Sequence, residues 1–156
     1  MLSQSRIITE SNAIFTAELV ADASNAKRSG KWDCPLSEVL VGEYWIIPLT
    51  SRKLLKSEGY AMNNCCRDYI SQCEAMGYCI FSIRNRTGER LATLGLKKEQ
   101  NYWYFDQCFG ASNADVLEEI LTYLDENGME QTESTSSEIY YVAHEVARLM
   151  NTVGNS

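Results

Sequence analysis

Apolar side chains recur along this chain at two spacings, and the change from one to the other separates helical from extended stretches. From Glu10 to Lys27, Ile14, Leu19 and several alanines fall near a helical period that Ser29-Gly30 interrupts. This predicts a helix behind a loose arm over residues 1–10. Trp32 to Pro35 reads as a turn, Leu36 to Val41 as a short helix capped by Ser37, and Tyr44 to Ile47 as a strand ended by Pro48. Thr50 or Ser51 caps a further helix running through Leu54 and Leu55, with Gly59 as its C-cap. Met62, Cys66, Tyr69, Cys73 and Met76 then repeat at intervals of 4, 3, 4 and 3 residues, which predicts a second helix ended by Gly77. That stripe assigns Cys66 and Cys73 to the core and leaves Cys65 outside it, in the helix's first turn.

Beyond Gly77 the composition turns β-rich. Tyr78 to Ile83 and Leu91 to Leu96 read as a hairpin around Asn85 to Glu89, with Asn101 to Phe105 as a third strand. Gly110 to Asn113 reads as a turn in which Ser112 or Asn113 caps a helix over Ala114–Glu126, burying Val116, Ile120, Leu121 and Leu124. Asn127-Gly128 ends that helix, and the Ser/Thr-rich stretch 129–137 is expected to be a mobile loop. A last helix is predicted over residues 138–150, with Val142, Val146 and Leu149 on one face. The fold class expected is α+β: a small antiparallel meander packed against several helices in a single domain, for which 156 residues suffice.

Composition narrows the class of protein. No apolar run approaches the roughly 18 residues of a membrane span, and the first residues lack a secretory leader's pattern, so a cytoplasmic location with no membrane contact is expected. Six cysteines in a chain of this size point to free thiols rather than a disulfide framework. Their spacing lacks Cys-x-x-Cys, and the single His144 lies far away, so neither a metal nor another cofactor is expected.

Charge is unevenly divided. Residues 1–98 hold thirteen Lys/Arg against ten acids, whereas residues 99–156 hold eleven acids and one Arg. An asymmetry of this kind can orient a protein on a larger partner. The plainer alternative is an acidic solvated surface that keeps the chain soluble.

Leu54, Glu58, Gly59, Met62, Cys65, Tyr69, Gly77, Ile80, Arg84, Thr93, Leu94, Gln107, Gly110 and Asn113 follow one another at a distinctive spacing. In that order and spacing residues 49–113 resemble the PcfJ-like family of conjugative plasmids and other mobile elements. Asn64 stands where the family pattern has histidine, and Cys66 where it has an apolar residue. The resemblance implies a role in mobile-element, phage-defence or counter-defence biology, and it carries no reaction.

Two classes of function follow. The first is a non-catalytic interaction module. Its candidate partner-binding face is acidic, formed by Asp115, Glu118, Glu119, Asp125 and Glu126 on the predicted helix, with a larger protein as the partner. Its candidate nucleic-acid contacts are Arg84, Arg86 and Arg90 around the hairpin, with Tyr102, Trp103 and Tyr104 offering rings for stacking. Buried aromatics and solvated arginines explain the same residues more plainly. The second class is a thiol enzyme, a hydrolase or transferase. A helix start favours the Cys65 thiolate, His144 would serve as its base, and Asn64, Gln107 and Asn113 would supply polar contacts to a ligand.

Overall fold

The computed structural model describes residues 30–154, and the predicted arm and first helix lie outside them. Five strands form one antiparallel sheet in chain order: β1 (Val39–Val41), β2 (Tyr44–Pro48), β3 (Tyr78–Arg84), β4 (Arg90–Glu99) and β5 (Tyr102–Phe109). Helix α1 (Arg52–Met62), a 3-10 turn (Cys66–Tyr69) and α2 (Ile70–Glu74) join β2 to β3. After β5 come a second 3-10 turn (Ala111–Asn113), a separate hairpin of β6 (Glu118–Leu124) and β7 (Glu130–Ser136), and the long helix α3 (Glu138–Gly154). The chain is a single-domain α+β fold.

The sheet is covered on both faces, which explains why β3 is buried almost throughout. Cys79, Phe81 and Ile83 point with Leu94, Leu96 and Cys108 into a core closed by Val142, Val146 and Met150 of α3. Tyr78 and Ile80 point the other way, into a cluster with Leu55 of α1, Cys66, Cys73 and Trp45. Alternation along one strand thus feeds two cores.

Three predicted elements are corrected. Val39–Val41 is a strand, not a helix, because Gly42, at φ +59°, and Glu43 form a two-residue turn that pairs Val41 with Tyr44. Gly59 does not end α1. The helix runs on to Met62, and Asn63 at φ 50° is its C-cap. Gly59 serves close packing instead: an added Cβ would stand 3.3 Å from the Asn64 carbonyl oxygen of the returning loop. The predicted stripe is therefore split between two elements. Met62 belongs to α1, Cys66 and Cys73 are buried as expected, and Met76 is exposed at φ 65°.

The third correction is the largest. Residues 118–124 and 130–136 are paired strands, not a helix followed by a loop, and Asn113 caps no helix. Asn127-Gly128 is the hairpin turn, with Gly128 at φ +75°. Asp125 organises it by accepting from the amides of Asn127 and Met129, both at 2.9 Å, and from the Gln131 side chain at 3.0 Å. Ile120, Leu121 and Leu124 are exposed rather than buried.

Candidate cleft and buried carboxylate cluster

Strand register sets the floor of the candidate site. Ile80, Gly95 and Gln107 oppose one another across β3, β4 and β5, and Thr93 opposes Phe109 one step along. These five side-chain positions share the face opposite α3, since Leu94, Leu96 and Cys108 between them enter the α3 core. At Gly95 the floor has no side chain, and an added Cβ would lie within 2.9 Å of the Tyr78 ring. Glycine is required there by that close approach.

The walls come from two turns. Asn64, Cys65 and Cys66 follow α1, Tyr69 ends the first 3-10 turn, and Asn113 ends the second. Together with the floor they enclose a cleft of about 90 Å³. Asn63 donates through Nδ2 to Ser112 Oγ at 3.0 Å, tying the two turns together. Asn63, Ser112 and Asn113 all hold left-handed backbone, at φ 50°, 55° and 59°. Asn63 does so as the C-cap of α1, and asparagine tolerates this region better than most residues.

A second polar network lies beside the cleft. Glu58 is fully buried on α1. Its Oε1 accepts from Arg90 Nε at 2.8 Å, and its Oε2 accepts from Thr93 Oγ1 at 2.7 Å. Arg84 reaches the same carboxylate at 4.0 Å and donates through Nε to Ser82 Oγ at 3.0 Å. Burial and the neighbouring Arg90 charge lower the pKa of the Arg84 guanidinium, against the pull of Glu58. Thr93 links this network to the cleft by accepting from Asn64 Nδ2 at 3.1 Å, and Asn64 Oδ1 accepts from the Cys66 amide.

The candidate residues fall into three places. Cys65, Asn64, Gln107 and Asn113 come together in the cleft. Arg84 and Arg90 turn inward to Glu58, so they do not form the expected phosphate-binding rim. Arg86 stays exposed, 3.8 Å from Glu43. Trp103 is buried, while Tyr102 and Tyr104 are exposed with ring centroids 4.9 Å apart.

Cys65 and His144 do not meet. His144 stacks on Phe105, 4.8 Å between centroids, and lies 4.4 Å from the Tyr140 ring, on the α3 side of the sheet. Cys65 is also not in the first turn of an α-helix. It precedes a 3-10 turn of four residues, too short for a useful macrodipole. Of the six free cysteines it is the exposed one. Burial pushes the thiols of Cys66, Cys73 and Cys108 up to about 12.

Four of the five acidic candidates lie on the hairpin, and Asp115 precedes it. Glu118, Glu119 and Glu126 are exposed, Asp125 organises the turn, and Asp115 accepts from the Leu117 amide at 2.9 Å. Sequence reasoning missed Glu58 and Thr93 as a connected pair. A glutamate among the apolar residues of α1 was the available signal, because a buried carboxylate must find donors. Among the described residues no group of three His, Cys, Asp or Glu is arranged to hold a metal, and no helix is long and apolar enough to cross a membrane. No family model, curated protein or solved structure matches the chain.

Proposed function

We propose that the chain is a non-catalytic interaction module that docks on a basic surface of a larger protein through the β6–β7 hairpin. One observation carries this reading: every residue of β6 is exposed, on both faces of the hairpin. Ile120 is 66% exposed and Leu124 69%, with Leu121 and Tyr123 open on the opposite face. Contiguous exposed apolar side chains on a two-stranded hairpin form no core in water and suit a partner's surface. Residues 115–136 hold seven acids and no Lys or Arg, which selects a basic seat for that apolar edge.

The resemblance of residues 49–113 suggests where such a module acts, in an assembly of mobile-element, phage-defence or counter-defence biology. Six free cysteines suit the reducing cytoplasm. A thiol enzyme built on Cys65 is the lesser reading, because the sheet separates that thiol from the chain's single imidazole.

The test is a photocrosslinker at Tyr123 in cells that express the chain naturally. A stoichiometric partner crosslinked through Lys/Arg-rich peptides, and released by Gln at Glu118, Glu119, Glu126 and Glu133, supports the reading. Crosslinks only to another copy of the chain or to nucleic acid would overturn it, as would a complex indifferent to those substitutions.

A further inference from the structure

The cleft and the hairpin are separate features, and the cleft has a chemistry of its own. Among the described residues its lining has three carboxamides, the hydroxyls of Tyr69 and Thr93 and the thiols of Cys65 and Cys66, but no carboxylate, ammonium or guanidinium group. The nearby Glu58 charge is already met by Arg90 and Thr93. A charged ligand group would find no counter-charge inside, so the occupant's buried part is neutral.

Hydrogen-bonding capacity is left over at two points. Gln107 donates through Nε2 to Tyr78 Oη at 3.2 Å, and Tyr78 donates to Asp106 at 2.6 Å. That chain fixes which end of the Gln107 amide faces Tyr78 and leaves its carbonyl oxygen with no hydrogen bond among the described residues. Asn113, held in left-handed backbone, makes no side-chain hydrogen bond among the described residues. Both ends of an amide set beside an acceptor match a group that carries a donor and an acceptor on one edge.

Flat surfaces complete the site. Tyr69 is stacked on Tyr78 at 4.7 Å and 19°, which holds its ring rigid at the wall, and Phe109 stands exposed across Thr93. The volume also decides. A closed apolar cavity of about 150 Å³ takes one benzene ring, so a cleft of about 90 Å³ that is open on one side holds the edge of a ring system, leaves the rest at its mouth, and excludes an extended cofactor.

We infer that the cleft binds a nucleobase, its edge read by the Gln107 and Asn113 carboxamides and its face laid against Tyr69 or Phe109. Carboxamides pair with base edges through two hydrogen bonds, and aromatic side chains stack on bases of any sequence. The base can belong to a free nucleotide or to an unpaired strand, since the cleft takes only the ring and leaves sugar and phosphate outside.

Cys65 offers a direct readout, as an exposed thiol in the lining. Its maleimide labelling rate would be followed while the four ribonucleoside monophosphates, and then unpaired twelve-residue homopolymers, are titrated. Expected is saturable slowing by one base type, with the half-saturating concentration raised at least tenfold in both Gln107→Met and Asn113→Gly. The first keeps side-chain volume, and the second keeps the left-handed backbone, so folding is preserved by different routes. Tighter binding of the homopolymer than of its monophosphate identifies an unpaired strand as the source, and equal binding identifies the nucleotide. The inference is overturned if neither titration slows labelling, if an abasic strand slows it equally, or if both variants bind as the parent does.

Discussion

Cys65 and His144 lie on opposite faces of the five-stranded sheet, the first beside Gln107 and the second stacked on Phe105. Their separation governs what the thiol can do. With a chromogenic disulfide reagent, one of the six cysteines should react fast in the native protein and five slowly. His144→Ala should leave the fast rate within about twofold, because no proton transfer links the two groups. A fivefold fall would mean that the imidazole reaches the thiol.

Glu58→Ala should be among the most damaging substitutions in the chain. It strips Arg90 of its 2.8 Å partner and Thr93 of its acceptor inside the fold. Removing one member of a buried ion pair costs about 3–5 kcal/mol. Arg90→Ala should cost less, since Arg90 is partly exposed and Thr93 still serves the carboxylate. Urea midpoints of the two variants give the comparison; equal midpoints would refute the ranking.

Stability should decline steeply on the alkaline side. Cys66, Cys73 and Cys108 are held protonated up to about 12 by burial. Tyr44, donating to Glu138 at 2.6 Å, is also raised to about 12, chiefly by that hydrogen bond. Each group keeps its proton longer folded than unfolded. The folded state therefore binds more protons between the ordinary thiol range near 9 and about 12, and stability falls as pH rises through that window. Guanidinium midpoints measured from pH 8 to 11 should show the fall, shallower in Tyr44→Phe above pH 10. A flat profile would contradict it.

The hairpin should be dispensable to the body's stability. Its rim is tied down by Ser137, which donates through its backbone amide to the Leu117 carbonyl oxygen, while β6 itself is exposed along its whole length. Replacing residues 118–135 by a short Gly/Ser linker should shift the thermal midpoint by less than about 4 °C, the scale of a loss below 1 kcal/mol. A shift of 10 °C in calorimetry would show that the hairpin supports the core.

Much of the central sheet was legible in the sequence, and the reason is local. β3 and β4 carry dense β-branched and apolar residues around the Asn85–Glu89 loop, where Asn85 Oδ1 accepts from the amides of Thr87 and Glu89. Pattern and turn chemistry agree there. They disagree at β6, whose Leu and Glu residues suit a helix as well as a strand. The deciding information lay in β7, a strand of Ser, Thr, Gln and Glu with no apolar residue for a periodicity to detect. The cleft was half legible. Cys65, Asn64, Gln107 and Asn113 stood out as unexplained polar positions, yet only the register Ile80–Gly95–Gln107 brings them to one face. Pairing Cys65 with His144 failed because no local rule says which face of a sheet a distant helix will cover.

The two edges of the β6–β7 ribbon also bear on how copies of this chain treat one another. Among the described residues each strand leaves one row of backbone donors and acceptors without a strand partner over a length of roughly 24 Å, estimated from the rise per residue in a strand. Such an edge is a template for an identical edge. Here Glu118 and Glu119 stand on one strand and Glu130 and Glu133 on the other, so approaching copies meet like charge. The carboxylates that would seat a basic partner therefore also act as spacers, and molar salt, which shortens the screening length to about 3 Å, weakens both actions together.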